Sequence, residues 1–327
     1  FAHDARRLHR QLAPVRVWSP TAVMDLRPDS LPRSLRQLER LAFSAARNER
    51  EGVALAMTNL SDENAVYVAK LSKLTGPETI DHGRMELREA EPIKGKDGPY
   101  WLDALPLVGD IARLNLPAGS TDAIWLGLDV EDLPAGRYEG TIELVPTMGH
   151  PTLVRRTVPV SLTVHPFRLP EKMPISVFMW DWAKTRDPVY LNDMLKRRVN
   201  VFHSENLPQP IEGRPTDFSI VDRTIAATRE HGPIMLEFWF MRKGKEGWKP
   251  QYEPWVRKVI DHMTDDLGLN YDQFYLYPFD EDLSDQFLEM AKAIKAIDPR
   301  VRIFSVETAS MERLKAFAPY VDIWCPH

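Results

Sequence analysis

The fold class this sequence predicts is a β-sandwich followed by an α/β unit, a (β/α) barrel of the TIM type. Three observations carry it. Residues 44–168 hold short runs that alternate apolar and polar side chains between turn signals. After the proline-marked stretch Pro166 to Pro174, continuous apolar runs alternate with amphipathic ones. The 327 residues are enough for two domains.

Residues 1–43 read as an N-terminal extension, with a basic helical stretch from Asp4 to Leu12 and a short helix around Leu31 to Leu41. In the sandwich, Val53, Leu55 and Met57 occupy alternate positions, the pattern of a half-buried strand. Val66 to Leu71 and Ile124 to Val130 repeat that pattern. Leu133-Pro-Ala-Gly-Arg-Tyr-Glu-Gly is a turn feeding the strand Thr141 to Val145, and Thr157 to Val164 follows.

Residues 169–327 read as barrel units. The predicted strands begin at Ile175, Asn200, Pro233, Phe274, Arg302 and Val321. The predicted helices run over Tyr190 to Arg198, Phe218 to His231, Pro254 to Leu267, Leu283 to Ile297 and Met311 to Ala318. A closed barrel needs about eight such units, so the barrel is expected to be incomplete at the C-terminus of this chain.

Composition excludes several functions. A net charge of −5 argues against nucleic acid or an anionic membrane surface as a partner. No stretch approaches the ~20 apolar residues of a membrane span. Neither G-x-G-x-x-G nor G-x-x-x-x-G-K occurs, so no nucleotide cofactor is expected. The single Cys325 rules out an internal disulfide and leaves the compartment open. His203, Glu205, Asp280 and His327 have side chains that can ligate a metal, but their spacing matches no metal motif, and no metal is expected.

In a parallel barrel the C-terminal strand ends and their loops build the active site. Those ends carry Trp180, Trp182, His203, Glu205, Glu237, Trp239, Tyr275, Tyr277, Asp280, Glu281, Glu307 and Trp324. Carboxylates and aromatics at one rim suit the binding and protonation of a sugar. Asp280-Glu281-Asp282 is the sharpest feature, because clustered acids favour a proton-holding carboxyl that can serve as a general acid. Successive strand side chains point to opposite faces, so both Asp280 and Glu281 face a substrate only if the backbone leaves strand geometry. Pro278 makes that departure plausible. The same acids also suit a helix start, with Asp282 as the best cap candidate, and Trp180 and Trp239 also suit a barrel core. Glu237 lies inside an apolar run and needs a partner if buried.

Four stretches together resemble glycoside hydrolase family 123. They are Ala45-Ala-Arg-Asn-Glu-Arg-Glu, Leu133-Pro-Ala-Gly-Arg-Tyr-Glu-Gly-Thr-Ile, Asp280-Glu281 and Val321-Asp-Ile-Trp-Cys-Pro, in that order. The chain departs from the family at Asp282, where members usually carry proline. The resemblance implies removal of a terminal N-acetylhexosamine, with β-linked GalNAc the expected sugar, by substrate-assisted retaining hydrolysis and without a cofactor. It implies that Glu281 is the general acid/base and that Asp280 accepts from the acetamido N–H. Tyr275 or Tyr277 would bond the acetamido carbonyl, with tryptophans walling the pocket. The expected partner is a glycan or glycoconjugate, and the expected location is secreted, periplasmic or surface-associated in a bacterium. Two rivals stay open: a glycosidase pairing Glu281 with Glu205, Glu237 or Glu307, and a non-catalytic carbohydrate-binding relative.

Overall fold

The computed structural model describes residues 14–21, 26–34, 36–96, 98–149, 151–180, 184–204, 207, 215–237 and 252–325. The chain divides into two compact units, Phe1–Glu171 and Lys172–His327.

The first unit is made of strands. They are β1 (Val15–Trp18), β2 (Leu41–Arg47), β3 (Arg50–Asn59), β4 (Ala65–Leu71), β5 (Leu74–Thr75), β6 (Thr79–Ile80) and β7 (Met85–Glu89). The series continues with β8 (Glu91–Lys94), β9 (Tyr100–Ala104), β10 (Leu107–Gly109), β11 (Ile111–Leu116), β12 (Thr121–Asp129), β13 (Gly136–Met148) and β14 (Arg156–Arg168). One sheet has the order β1-β3-β12-β7-β10 and the other β11-β4-β13-β14-β2. Pairing is antiparallel except where β2 joins β14 in parallel. Both sheets feed one core: Leu55, Leu87 and Ile124 come from the first, and Tyr67, Leu114 and Ile142 from the second. Alternation along each strand produces that core, because every second side chain faces the opposite sheet.

Two local devices position these strands. The strand that carries Val53, Leu55 and Met57 is β3, and the residues before it form β2 in the other sheet. Asn48, at φ +62°, turns the chain between them, and its Nδ2 donates to the Leu169 carbonyl at 2.9 Å. In the Leu133–Gly140 turn, the buried Tyr138 hydroxyl donates to the Pro134 carbonyl at 2.9 Å, tying the start of β13 to the loop before it.

The helix expected over Leu31 to Leu41 does not form among the described residues: 31–34 and 36–40 have no regular structure, and Leu41 opens β2. Gln37 explains this. Its side chain accepts from Val17 N at 2.9 Å and donates to the Val15 carbonyl at 3.0 Å, and Leu38 N donates to the Val17 carbonyl. The stretch is held extended beside β1, which itself pairs with β3. Asp4 to Leu12 lies outside the described residues.

The second unit alternates strand and helix. Its elements are α1 (Pro188–Lys196), β15 (Phe202–His203), α2 (Ser219–Thr228), β16 (Ile234–Glu237), α3 (Glu253–Asp261), β17 (Phe274–Tyr277), α4 (Asp285–Ile297), β18 (Arg302–Val306), α5 (Met311–Phe317) and β19 (Ile323–Cys325). A π-helical turn, His262–Asp266, prolongs α3. The five strands form one sheet in sequential order, each parallel to the next.

The two faces of this sheet differ. Ile234, Leu236, Phe274, Leu276 and Ile303 pack with helix residues such as Val221, Val259, Phe287 and Phe317. The other face gathers Met235, Tyr275, Tyr277, Phe304 and Val306 with Phe178 and Ile323. We call this the inner face.

The expected first strand, Ile175 to Trp180, forms no ladder. Asn200 replaces it: its Oδ1 accepts from Val177 N at 2.8 Å, its Nδ2 donates to the Ile175 carbonyl at 2.9 Å, and Asn200 N donates to the Val177 carbonyl. Side-chain bonds satisfy the segment locally, in place of strand pairing.

Gly232 is where α2 returns to the sheet. A Cβ there would lie 1.9 Å from the Asn200 carbonyl oxygen, a backbone atom that cannot swing away. Gly232→Ala is therefore expected to cost about 1–3 kcal/mol, by displacing β16 from the Asn200 segment. Chemical denaturation checks this, and a variant as stable as the parent contradicts the close packing.

Candidate active site

β17 ends at Tyr277, and the chain then passes through Pro278 and Phe279 to Asp280 and Glu281. Pro278 has no N–H to extend the ladder. Phe279 is fully buried on the helix side, its ring stacked on Phe287 at 5.3 Å and 13°. That anchor sends the backbone away from strand geometry. Glu281 then adopts φ +48°, the left-handed region that costs a non-glycine residue about 1–3 kcal/mol and is concentrated at functional sites. The departure expected from alternation is therefore present.

Asp280 is held from the strand. The Tyr277 hydroxyl donates to its Oδ1 at 2.5 Å. Burial, followed by the carboxylates of Asp280, Glu237 and Glu281, pushes the Tyr277 phenol far above its ordinary range. Tyr277 is therefore a neutral donor whose proton is committed to Asp280. That placement makes it an orienting group for Asp280.

Three further side chains, Glu237, His203 and Trp180, form one cluster with Tyr277. Glu237 lies directly across from it on β16. Glu237 in turn is bound to His203 Nε2 on β15, and both are buried. Trp180, 38% exposed, packs edge-to-face with His203 at 5.1 Å and tilted against Tyr277 at 5.6 Å. The partner Glu237 needs is thus His203. The sequence places both residues at the rim without pairing them, and its one signal is the carboxylate of Glu237 inside an apolar run.

Asp282 is not the helix cap expected of it. Ser284 caps α4, its hydroxyl accepting from Phe287 N at 3.3 Å. Asp282 is buried, and its Oδ2 has no hydrogen-bond partner among the described residues.

Other predicted residues lie apart from this cluster. Tyr275 is on the inner face but at the start of β17, where Arg302 and Asp272 are its electrostatic neighbours. Glu307 and Trp324 line a groove of about 380 Å³ with Met311, Leu314, Lys315 and Ala318 of the α5 region. Strand parity is the reason. Ile323 and Cys325 face inward, so Trp324, paired with Ser305, faces the helices. Trp182, Glu205, Trp239 and His327 lie outside the described residues. Among the described residues, no three His, Cys, Asp or Glu side chains come together as a cation site. No described helix is long and apolar enough to cross a membrane.

The neutral phenol has a measurable consequence. Spectrophotometric titrations of the parent and of Tyr277→Phe should superimpose up to pH ~11, because Tyr277 does not ionise in that range. Loss of one phenolate equivalent near pH 10 in the variant would contradict the bond to Asp280.

No protein-family model matches this chain, and no curated protein matches it. Among solved structures it is similar to a family 123 glycoside hydrolase from Clostridium perfringens, with a TM-score of 0.66, 13% identity and 94% of this chain covered. The chain spans 66% of that protein, just under two thirds of its length. A β-glucuronidase from Bacteroides uniformis overlaps 96% of this chain and 36% of its own, with 10% identity and a TM-score of 0.27. The N-terminal domain of PorA overlaps 47% of this chain and 98% of its own, with 14% identity and a TM-score of 0.25. At those two scores neither bears on the fold. At 13% identity the first likeness concerns architecture alone: this chain has a family 123 glycoside hydrolase-like fold.

Proposed function

We propose that this chain is a retaining glycoside hydrolase that removes a terminal N-acetylhexosamine, β-linked GalNAc foremost, with the substrate's acetamido group as nucleophile. The observation that carries the reading is the turn after β17. Glu281 stands in a left-handed conformation beside an Asp280 already bound by Tyr277. The likeness in fold to a family 123 glycoside hydrolase supports it. The sequential parallel strands, with helices on one face, support reading the second unit as part of a (β/α) barrel of the eightfold type.

In this reading Glu281 donates its proton to the glycosidic oxygen as the bond to the anomeric carbon breaks. The acetamido carbonyl oxygen attacks that carbon from the opposite face and forms an oxazolinium-like ring. Asp280 accepts from the acetamido N–H and offsets the positive charge that develops there. Glu281, now a carboxylate, takes a proton from water, which opens the ring with overall retention. Trp180 offers an exposed aromatic surface to the sugar. A route using Glu237 as a second carboxylate is disfavoured, because His203 already engages it.

Glu281→Gln is expected to lower turnover of an aryl N-acetyl-β-galactosaminide by ~10²–10⁴-fold, the usual contribution of a positioned acid/base. Kinetics on a folded variant check this. Undiminished turnover would remove Glu281 from the proposed role.

A further inference from the structure

An acid/base and an acetamido acceptor leave the buried His203–Glu237 pair without a function. His203 and Glu237 are 1% and 2% exposed, and the carboxylate meets the imidazole directly. A buried ion pair is a weak stabiliser, because desolvating both charges offsets most of their attraction. Apolar side chains of similar volume would serve the sheet as well. The role of such a pair is therefore sought in what it orients.

Register answers that question. Glu237 and Tyr277 face each other on adjacent parallel strands, so their side chains project side by side on the inner face. His203 sits one strand further along, on β15. Trp180 touches the rings of both His203 and Tyr277. A carboxylate can only accept, so the imidazole Nε2 carries the proton in its contact with Glu237. With that bond made, Glu237 is tied to His203, and the Tyr277 proton goes to Asp280 Oδ1.

We propose that His203 and Glu237 are positioning residues for the acid centre: the pair seats Trp180 and Tyr277, and Tyr277 then sets the rotamer of Asp280 before substrate arrives. The proposal rests on the glycosidase reading for its kinetic consequence and on packing alone for its structural one. Misplacing an orienting group by about 1 Å is enough to cost ~100-fold in rate, so the effect belongs in kcat. Asp280 touches the substrate only through the acetamido group, so ground-state binding of the sugar changes little.

Glu237→Gln, close in shape but an amide, tests the proposal. The expected result is a fall in kcat of ~100-fold with KM within about threefold. A prop that only supports the sheet would change stability and leave kcat of the folded variant unmoved. Unchanged kcat overturns the proposal. A crystal structure of the same variant gives an answer independent of turnover. Displacement of the Tyr277 hydroxyl from Asp280 is expected, whereas an intact bond with Trp180 in place overturns the proposal. If the parent protein cleaves no N-acetylhexosaminide while the variant shows that displacement, the glycosidase reading falls and the positioning role stands. Should Glu237→Gln fail to fold, His203→Gln is read by the same structural criterion.

Discussion

The hydrogen bond from Tyr277 to Asp280 is the constraint on which the rest of the candidate site depends. It closes a short loop that begins on a regular strand and ends in a residue no regular element accommodates. Glu281 pays for its left-handed backbone with about 1–3 kcal/mol. That strain persists because both sides of the turn are held: Phe279 is locked into the helix-side core, and Asp280 is tied back to the strand. Burial of the phenol makes the tie one-directional, since a neutral tyrosine can give its proton to Asp280 and a phenolate cannot.

The two faces of the parallel sheet divide the labour. The helix side is apolar and continuous, so it supplies the rigid support that a positioned site needs. The inner side carries His203, Glu237 and Tyr277 on three successive strands, each at or one step from its C-terminal end. A parallel sheet in sequential order places such ends at one rim without any long connection. The same parity that gathers these residues sends Glu307 and Trp324 to the helix side.

Much of this was legible in the sequence. The α/β rhythm of residues 200–325 could be read because parallel strands must be apolar on both faces, and the helices between them bury one stripe. The Asp280–Glu281 irregularity followed from alternation plus Pro278. What escaped reading depended on individual side-chain bonds. Asn200 substitutes for a ladder at Ile175 to Trp180, and Gln37 holds extended a segment whose composition suits a helix. Ser284 takes the cap, a place that the three preceding acids suit equally by residue type. The His203–Glu237 contact joins residues 34 apart in sequence, and nothing local encodes it. Sequence reading recovered periodicity well, whereas partners across strands needed the register.

The most direct test of substrate-assisted retention is the configuration of the first product. An aryl N-acetyl-β-galactosaminide is incubated with the protein and followed by proton NMR before mutarotation intervenes. Under substrate-assisted retention the β-anomer of N-acetylgalactosamine appears first, because two displacements at the anomeric carbon restore its configuration. The α-anomer appearing first would mean a single displacement by water, and would contradict the roles given to Asp280 and Glu281.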